Sequence, residues 1–122
     1  MYEIEITEHF SSAHRLRGQG SRCEDLHGHN WFVTVTLGAA ELDEIGIAID
    51  FKVVKELLAE VVGRLDHQYL NEVPPFDVQN PSAENLARFI YEEMALLLRG
   101  KAARMQRVKV AEGPRTAASY IG

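Results

Sequence analysis

Two segments near the N-terminus alternate apolar and polar residues, which is the pattern of half-buried β-strands. Apolar residues recur at even-numbered positions of residues 2–10 and at odd-numbered positions of residues 30–37. The stretch 15–25 between them is polar and contains glycines, so it predicts a surface loop. We therefore expect the two strands to pair as a long hairpin.

Two longer segments carry apolar residues at the spacing of amphipathic helices. Asp50 is the predicted N-cap of the first helix, which is expected to run to about residue 65. Ser82 is the predicted N-cap of the second helix, which has Glu84 in its first turn and ends at Gly100. Because each helix has one apolar face, each needs a sheet or another helix to cover it.

The C-terminal segment predicts two further strands, residues 105–112 and 117–121, separated by a turn at Gly113-Pro114. The predicted order is therefore β-β-α-α-β-β. Since strands and helices do not alternate, we expect an α+β fold with a four-stranded antiparallel sheet and two helices on one face. Residues 1–122 are predicted to form a single domain.

Composition narrows the functional classes. The net charge of −5 disfavours binding to duplex nucleic acid, where Lys and Arg neutralise phosphates. No apolar run reaches the roughly 18–20 residues of a membrane span. The single cysteine and the absence of a basic segment followed by an apolar one predict a cytoplasmic protein without a signal peptide. The open edges of a four-stranded sheet favour a homo-oligomer.

Three of the five histidines fall where the first two strands meet the polar loop. His27 and His29 form a His-Gly-His motif, and extended backbone points both imidazoles to the same side. His14 ends the strand that pairs with this motif, and Gly28 is expected to leave room for an ion. Three neutral imidazoles with a fourth position open are typical of a catalytic zinc site. The residues alone leave open that these are surface histidines of a turn.

Three further residues are candidates for proton transfer. Cys23 lies in the glycine-bearing loop, where a nearby metal or cation would lower the thiol pKa from about 8.5, although the residue taken alone favours an incidental exposed thiol. Asp66 and His67 follow the first helix, and a carboxylate that orients an imidazole makes a general acid or base. The alternative is that His67 only complements the helix C-terminus. Adjacency in sequence does not imply direct contact between the two side chains.

Glu112 shares the strand parity of Val108 and Val110, which predicts that its carboxylate points toward the apolar side of the sheet. A buried carboxylate needs a partner. A ligand with two parallel N–H donors, such as a guanine-like ring, would satisfy it. The alternative is that the strand has ended and that Glu112 is merely exposed.

Six segments together resemble the 6-pyruvoyl-tetrahydropterin synthase family. They are HFSSAH, CEDLHGHN, IAIDF, LDHQYLNE, NPSAENLA and VKVAEG, and they extend over nearly the whole chain. The Cys-x-x-x-His-Gly-His motif followed by Leu-Asp-His is the specific part. The short chain and the cysteine motif are most similar to the bacterial 6-carboxy-tetrahydropterin synthases of queuosine biosynthesis.

The resemblance implies a tunnelling fold (T-fold) subunit that assembles into trimers or hexamers, with active sites between subunits. It implies that His14, His27 and His29 bind Zn²⁺ and that Cys23 is the catalytic base. It further implies the substrate, 7,8-dihydroneopterin triphosphate, and a product, 6-carboxy-5,6,7,8-tetrahydropterin, formed with loss of triphosphate and acetaldehyde.

The resemblance also assigns the remaining site residues. Asp66 and His67 would be a second proton-transfer group from a neighbouring chain, and Glu112 would anchor the pterin ring. Many relatives have Thr where Gly113 follows this glutamate.

The triphosphate needs cations, and Arg15, Arg17 and Arg22 crowd the loop beside the histidines. Some relatives replace the motif cysteine by glutamate, and Glu24 stands beside that position here.

Three other functions fit the same residues. A 6-pyruvoyl-tetrahydropterin synthase would share the motifs and differ in the fate of the side chain. A zinc hydrolase would use three histidines to activate water and would leave Cys23 and Glu112 without a role. A binding module would hold zinc structurally and would unfold without it.

Overall fold

The computed structural model describes residues 1–18 and 25–122, which form a four-stranded sheet, two α-helices and a short 3₁₀ helix. Strands β1 to β4 span Tyr2–His14, His27–Ala39, Arg104–Gly113 and Thr116–Ile121. Helices α1 and α2 span Phe51–Gly63 and Ala83–Leu97, and the 3₁₀ helix spans Leu70–Glu72.

The sheet has the order β1-β2-β3-β4, and every neighbouring pair is antiparallel. Helix α1 packs against β1, and α2 packs against β3, β4 and α1. The predicted β-β-α-α-β-β order and the α+β class are confirmed.

The core lies between the helices and one face of the sheet. Val33, Val35 and Leu37 of β2 are fully buried on this face, whereas Phe32 is 49% exposed on the other. The alternation of side chains along an extended strand explains this difference. The predicted amphipathic character of β2 is therefore confirmed.

Both predicted helix caps are confirmed. The Asp50 carboxylate accepts the backbone N–H of Lys52 at 2.9 Å, and the Ser82 hydroxyl accepts that of Asn85 at 3.1 Å. Each cap satisfies a backbone donor that has no partner within its own helix. Within the described residues, no helix is long and apolar enough to cross a membrane.

The first two strands are longer than predicted. The pairing of β1 with β2 continues past Phe10 to the pair His14 and His27, through residues whose polarity is typical of a loop. Ser12 and His14 are buried nevertheless, because the Ser12 hydroxyl donates to the carbonyl of Leu65 and His14 also has a carbonyl partner. Helix α1 ends at Gly63, earlier than predicted, because the chain then tightens into turns.

Candidate metal centre and active site

Three imidazoles meet at one end of the β1–β2 hairpin, as the sequence predicts. His14 pairs with His27 across the two strands, and His29 lies two residues further along β2 on the same face. The ring centroids are 4.5 Å apart for His14 and His27, 5.1 Å for His14 and His29, and 4.8 Å for His27 and His29. One nitrogen from each ring lies within 4.8 Å of the others. The cluster can therefore hold a metal ion.

Backbone carbonyls orient two of the three rings. The Nδ1 of His14 lies 2.7 Å from the carbonyl oxygen of Pro81, and the Nδ1 of His27 lies 2.7 Å from that of Asp25. Because a carbonyl only accepts, each Nδ1 carries the proton and each Nε2 is left with a free lone pair. This is the outer-shell arrangement that orients histidine ligands in metal sites.

Two of the imidazole nitrogens are buried without a partner among residues 1–18 and 25–122. They are Nε2 of His14 and Nε2 of His29. A buried polar atom without a hydrogen bond costs about 1–3 kcal/mol. A metal ion bound between the rings would remove this cost, so the residues present fit a divalent metal site.

The electrostatics of the cluster favour the neutral, metal-binding form of histidine. Burial lowers the pKa of His14 below its ordinary value of 6.5, and the nearby His27 and His29 lower it further, against the opposing effect of the Pro81 carbonyl. Burial also lowers the pKa of His29, although the Glu112 carboxylate partly offsets the shift. Neutral imidazoles are the ones that ligate metals.

Glu112 lies beside the histidine cluster. Strand β3 continues through this residue to Gly113, and the Glu112 Oε2 is 3.6 Å from the Nε2 of His29. The carboxylate is 35% exposed, so it is open to a ligand while facing the same side as the buried valines of β3.

Asp66 and His67 form a close side-chain pair, which adjacency alone did not imply. The Nδ1 of His67 lies 3.0 Å from the Oδ2 of Asp66. His67 has a positive φ of 56°, a conformation that few non-glycine residues adopt, and its N–H donates to the carbonyl of Ser11 at 2.6 Å. The Oδ1 of Asp66 accepts the Ser11 N–H at 2.9 Å. Pairing with the outer edge of β1 thus holds both residues in place.

The Asp66–His67 pair presents its imidazole to the surface. The Ser11 N–H, and then His67, hold the pKa of the Asp66 carboxyl below its ordinary value, so the aspartate is ionised. The imidazole of His67 is 82% exposed. Within the described part of the chain, no hydrogen bond or ion pair joins this pair to the three histidines.

Three candidate residues of the loop, Cys23, Arg22 and Glu24, lie outside the described residues. Arg15 is exposed, whereas the guanidinium of Arg17 donates to the carbonyls of Phe76 at 2.9 Å and Gln79 at 3.1 Å. Arg17 therefore fastens the end of β1 to the segment before α2, a structural role that the charge pattern did not predict.

Trp31 is a residue of the site that sequence reasoning missed. Its ring is fully buried, 4.9 Å from the ring of His14 and 5.0 Å from that of His29 between centroids, and it stacks on Phe10 at 6.0 Å. The parity that places His27 and His29 on one face also includes Trp31, so strand alternation was the available signal.

The expected role of Gly28 is wrong. A Cβ at this position would have the carbonyl oxygen of Ser12 as its nearest neighbour, at 3.9 Å. Alternation along β2 directs that position to the opposite face of the sheet from the imidazoles. The room for an ion arises instead from the spacing of the three rings.

Comparisons with known proteins agree with this geometry. The profile of the family described as 6-pyruvoyl tetrahydropterin synthase matches residues 3–122. The 6-carboxy-5,6,7,8-tetrahydropterin synthase of Bacillus subtilis is 32% identical over 102 residues, with 80% of this chain and 68% of that protein covered. The 6-pyruvoyl tetrahydrobiopterin synthase of Drosophila melanogaster is 33% identical over 129 residues, with coverages of 94% and 76%.

A solved structure also resembles this chain in its fold. The 6-pyruvoyl tetrahydropterin synthase of Caenorhabditis elegans superposes with a TM-score of 0.87 at 26% identity, covering 99% of this chain and 95% of that one. The predicted T-fold is thereby confirmed.

Proposed function

Because the chain belongs to the 6-pyruvoyl tetrahydropterin synthase family, we propose that it converts 7,8-dihydroneopterin triphosphate and one water into 6-carboxy-5,6,7,8-tetrahydropterin, acetaldehyde and triphosphate. The family supports an enzyme that acts on a small-molecule pterin. The observation that carries the proposal is the cluster of three inward-facing histidines with a carboxylate 3.6 Å from one of them. In this proposal residues 1–122 act as one lyase domain.

The metal proposed for the cluster is Zn²⁺. The Nε2 atoms of His14 and His29 have no partner within the described residues, and the bond from His27 Nδ1 to the Asp25 carbonyl leaves the Nε2 of His27 free. Three such imidazoles suit a tetrahedral ion with one open position. When bound, zinc would act as a Lewis acid toward the side-chain hydroxyls of the substrate. His14, His27 and His29 would hold it, and the neutral form that burial favours in His14 and His29 keeps their nitrogens available.

Glu112 is the proposed anchor for the pterin ring. A carboxylate accepts two parallel N–H bonds from an amidine edge, and such charge-assisted pairs are stronger than neutral ones. Support comes from its placement, since Glu112 faces the histidine cluster and keeps part of its surface open. This contact would set the distance between the ring and the reacting side chain of the substrate.

Two groups are proposed to move protons. The Cys23 thiolate would take a proton from a side-chain carbon of the substrate, and His67 would exchange a proton with a side-chain oxygen. Asp66 holds the Nδ1 of His67 at 3.0 Å, which leaves Nε2 as the exchanging atom. An ionised aspartate also stabilises the protonated imidazole that forms during the transfer.

The Asp66–His67 pair is proposed to serve the site of a neighbouring copy in a trimer or hexamer. Support comes from the exposed imidazole of His67 on the outer edge of β1 and from its lack of polar contact with the histidines of the same chain, within the described residues. In a closed ring of identical subunits, each active site would then combine residues of two chains.

The decisive experiment is an anaerobic incubation of zinc-loaded protein with 7,8-dihydroneopterin triphosphate, followed by mass analysis of the pterin and an assay for acetaldehyde. A 6-carboxy pterin with acetaldehyde supports the proposal. A 6-pyruvoyl product without acetaldehyde assigns the chain to the other activity named among its relatives. The absence of turnover would return the hydrolase and the binding module to consideration.

The role of Cys23 is tested in the same assay. Cys23→Ala is expected to bind zinc normally and to lose turnover, because the base is gone while the three ligands remain. Full activity of this variant would refute the proposed base and favour a mechanism that uses only activated water. Glu60→Gln serves as a control, since Glu60 is an exposed carboxylate on α1.

The shared site is tested by mixing two inactive variants. Cys23→Ala and His67→Ala each remove one group, so mixed oligomers would rebuild sites that contain both groups only if the groups come from different chains. Random mixing in equal amounts would then restore about one quarter of the wild-type activity. Inactive mixtures of properly exchanged subunits would show that both groups act within one chain.

A further inference from the structure

Two asparagine side chains clamp the backbone that follows β1. Asn71 accepts the N–H of Arg15 at 2.9 Å and donates to the carbonyl of the same residue at 3.0 Å. Asn80 makes the same two bonds to Arg17, at 2.8 Å and 2.9 Å. Each amide thus satisfies both polar groups of one residue, as a neighbouring strand would.

The two clamps differ in what lies next to them. Asn80 directly precedes Pro81, whose carbonyl is 2.7 Å from the Nδ1 of the fully buried His14. Asn71 lies in the 3₁₀ helix between α1 and α2, and the residue that it clamps, Arg15, directly follows His14. Both clamps therefore adjoin His14, but Asn80 is the one that precedes the residue whose carbonyl meets the imidazole ring.

The Pro81 carbonyl is held from both sides. On one side the Asn80 side chain fixes Arg17, and the Asn80 carbonyl accepts a bond from the side chain of Asn85 at 2.9 Å. On the other side Ser82 caps α2 by accepting the backbone N–H of Asn85. Proline also restricts the backbone at the residue that carries the carbonyl. The carbonyl is consequently preorganised to accept the proton of His14.

We propose that Asn80 is a positioning residue of the metal centre, which keeps His14 in the Nδ1–H tautomer through the Pro81 carbonyl and so directs the Nε2 lone pair into the cluster. The inference rests on the proposed metal-binding role of the three histidines. Hydrogen-bond partners outside the ligand set fix the tautomer and direction of a histidine, and their loss typically weakens metal binding by about 10–100-fold.

Asn80→Ala and Asn71→Ala make a matched pair of variants, because each removes the same two hydrogen bonds from one clamp. The metal-free proteins, labelled with ¹⁵N-histidine, are compared by NMR at pH 8, where the His14 Nδ1–H signal reports the tautomer. Co²⁺ affinity is then measured by the absorption of the bound ion and Zn²⁺ affinity by competition. The ¹⁵N spectrum also shows that each variant is folded.

Asn80→Ala is expected to lose the His14 Nδ1–H signal and to bind Co²⁺ about 10–100-fold more weakly. Asn71→Ala is expected to keep the signal, because it leaves the Pro81 carbonyl and the segment that holds it unchanged. Equal effects of the two variants on the signal, or an unchanged signal in Asn80→Ala, would overturn the proposal. If Asn80→Ala does not fold, Asn80→Asp, which keeps the acceptor and loses the donor, decides by the same measurements.

A failure of the proposed metal function is distinguishable from a failure of the positioning role. If the wild-type protein binds neither Co²⁺ nor Zn²⁺, the metal centre is refuted, and with it the metal part of the positioning role. The NMR comparison then tests whether Asn80 fixes the tautomer of His14. A signal lost only in Asn80→Ala supports this role, and a signal kept in both variants overturns it.

Discussion

The two ends of the β1–β2 hairpin have the same pairing and the same buried face, but they bury different chemistry. At one end, Ile4, Ile6 and Leu37 contribute carbon atoms to the core. At the other end, His14 and His29 bury nitrogens that lack partners within the described residues. The aliphatic end stabilises the fold by burying apolar surface. The histidine end stabilises it less, because burying unpartnered nitrogens costs free energy, but these nitrogens can bind a metal ion.

This difference shows how a small sheet keeps a polar cluster in place. The pairing of β1 with β2 continues without a break from the aliphatic end to the histidine end, so the histidines lie on a rigid backbone. Between the two ends, Trp31 stacks on Phe10. A site on strands that pack against a core is more precise than a site on a loop. The four predictions below test whether the two ends can be perturbed separately.

The largest effect is expected from His29→Ala, which removes one of three ligands. We expect Zn²⁺ affinity to fall by about 100-fold or more, because the free energy of binding depends on the full ligand set. Calorimetric titration measures it. His9→Ala is the control, since His9 lies on the same hairpin but is 69% exposed. Unchanged affinity in His29→Ala would remove this residue from the metal centre.

The opposite end is tested by Leu37→Ala, which truncates a fully buried side chain. We expect the free energy of unfolding of the metal-free protein to fall by about 2–5 kcal/mol, as for other buried leucines. Urea denaturation measures this loss. Zn²⁺ affinity at a temperature where the variant is folded should stay within about twofold of the wild type; a large drop would mean that the two ends are not separable.

The third prediction concerns acid and the metal-free protein. The pKa values of His14 and His29 are lower in the folded state than the ordinary 6.5, so the unfolded state binds more protons below that pH. The stability contribution is therefore fully present above about pH 6.5 and is lost as the pH falls through the lowered folded-state values. Urea midpoints between pH 8 and pH 5 measure this.

One variant sharpens the pH experiment. His29→Ala should lose stability less steeply with acid, because one of the two histidines whose pKa is lowered in the folded state is gone. An identical slope in His29→Ala and the wild type would show that His29 does not contribute to the acid response.

The smallest effect is spectroscopic and uses the only tryptophan of the chain. Trp31 lies 4.9 Å and 5.0 Å from the rings of His14 and His29, between the two ends of the hairpin. Co²⁺ bound by the histidines should quench its fluorescence, and His29→Ala should abolish the response at the same concentration of the ion. Quenching that persists in His29→Ala would place the ion elsewhere.

Local sequence was sufficient for much of the fold. The alternation in β2 predicts its buried face, and Asp50 and Ser82 mark where the helices begin, because strand parity and helix capping depend on residues a few positions apart. The same parity predicts that His27 and His29 point together, as the structure shows. These features follow from covalent geometry and short-range hydrogen bonds.

Other features depend on contacts between residues far apart in the chain. The polar end of β1 is buried only because Leu65 and Pro81 supply carbonyls to Ser12 and His14. His67 contacts Asp66 because pairing with β1 holds its unusual φ.

The asparagine clamps join positions separated by 56 and 63 residues. The sequence shows that Asn71 and Asn80 are polar, but it does not predict which backbone groups they will bind. Hydrogen bonds are short and directional, so only the packing of α2 and its preceding segment against the sheet decides which partners come within reach.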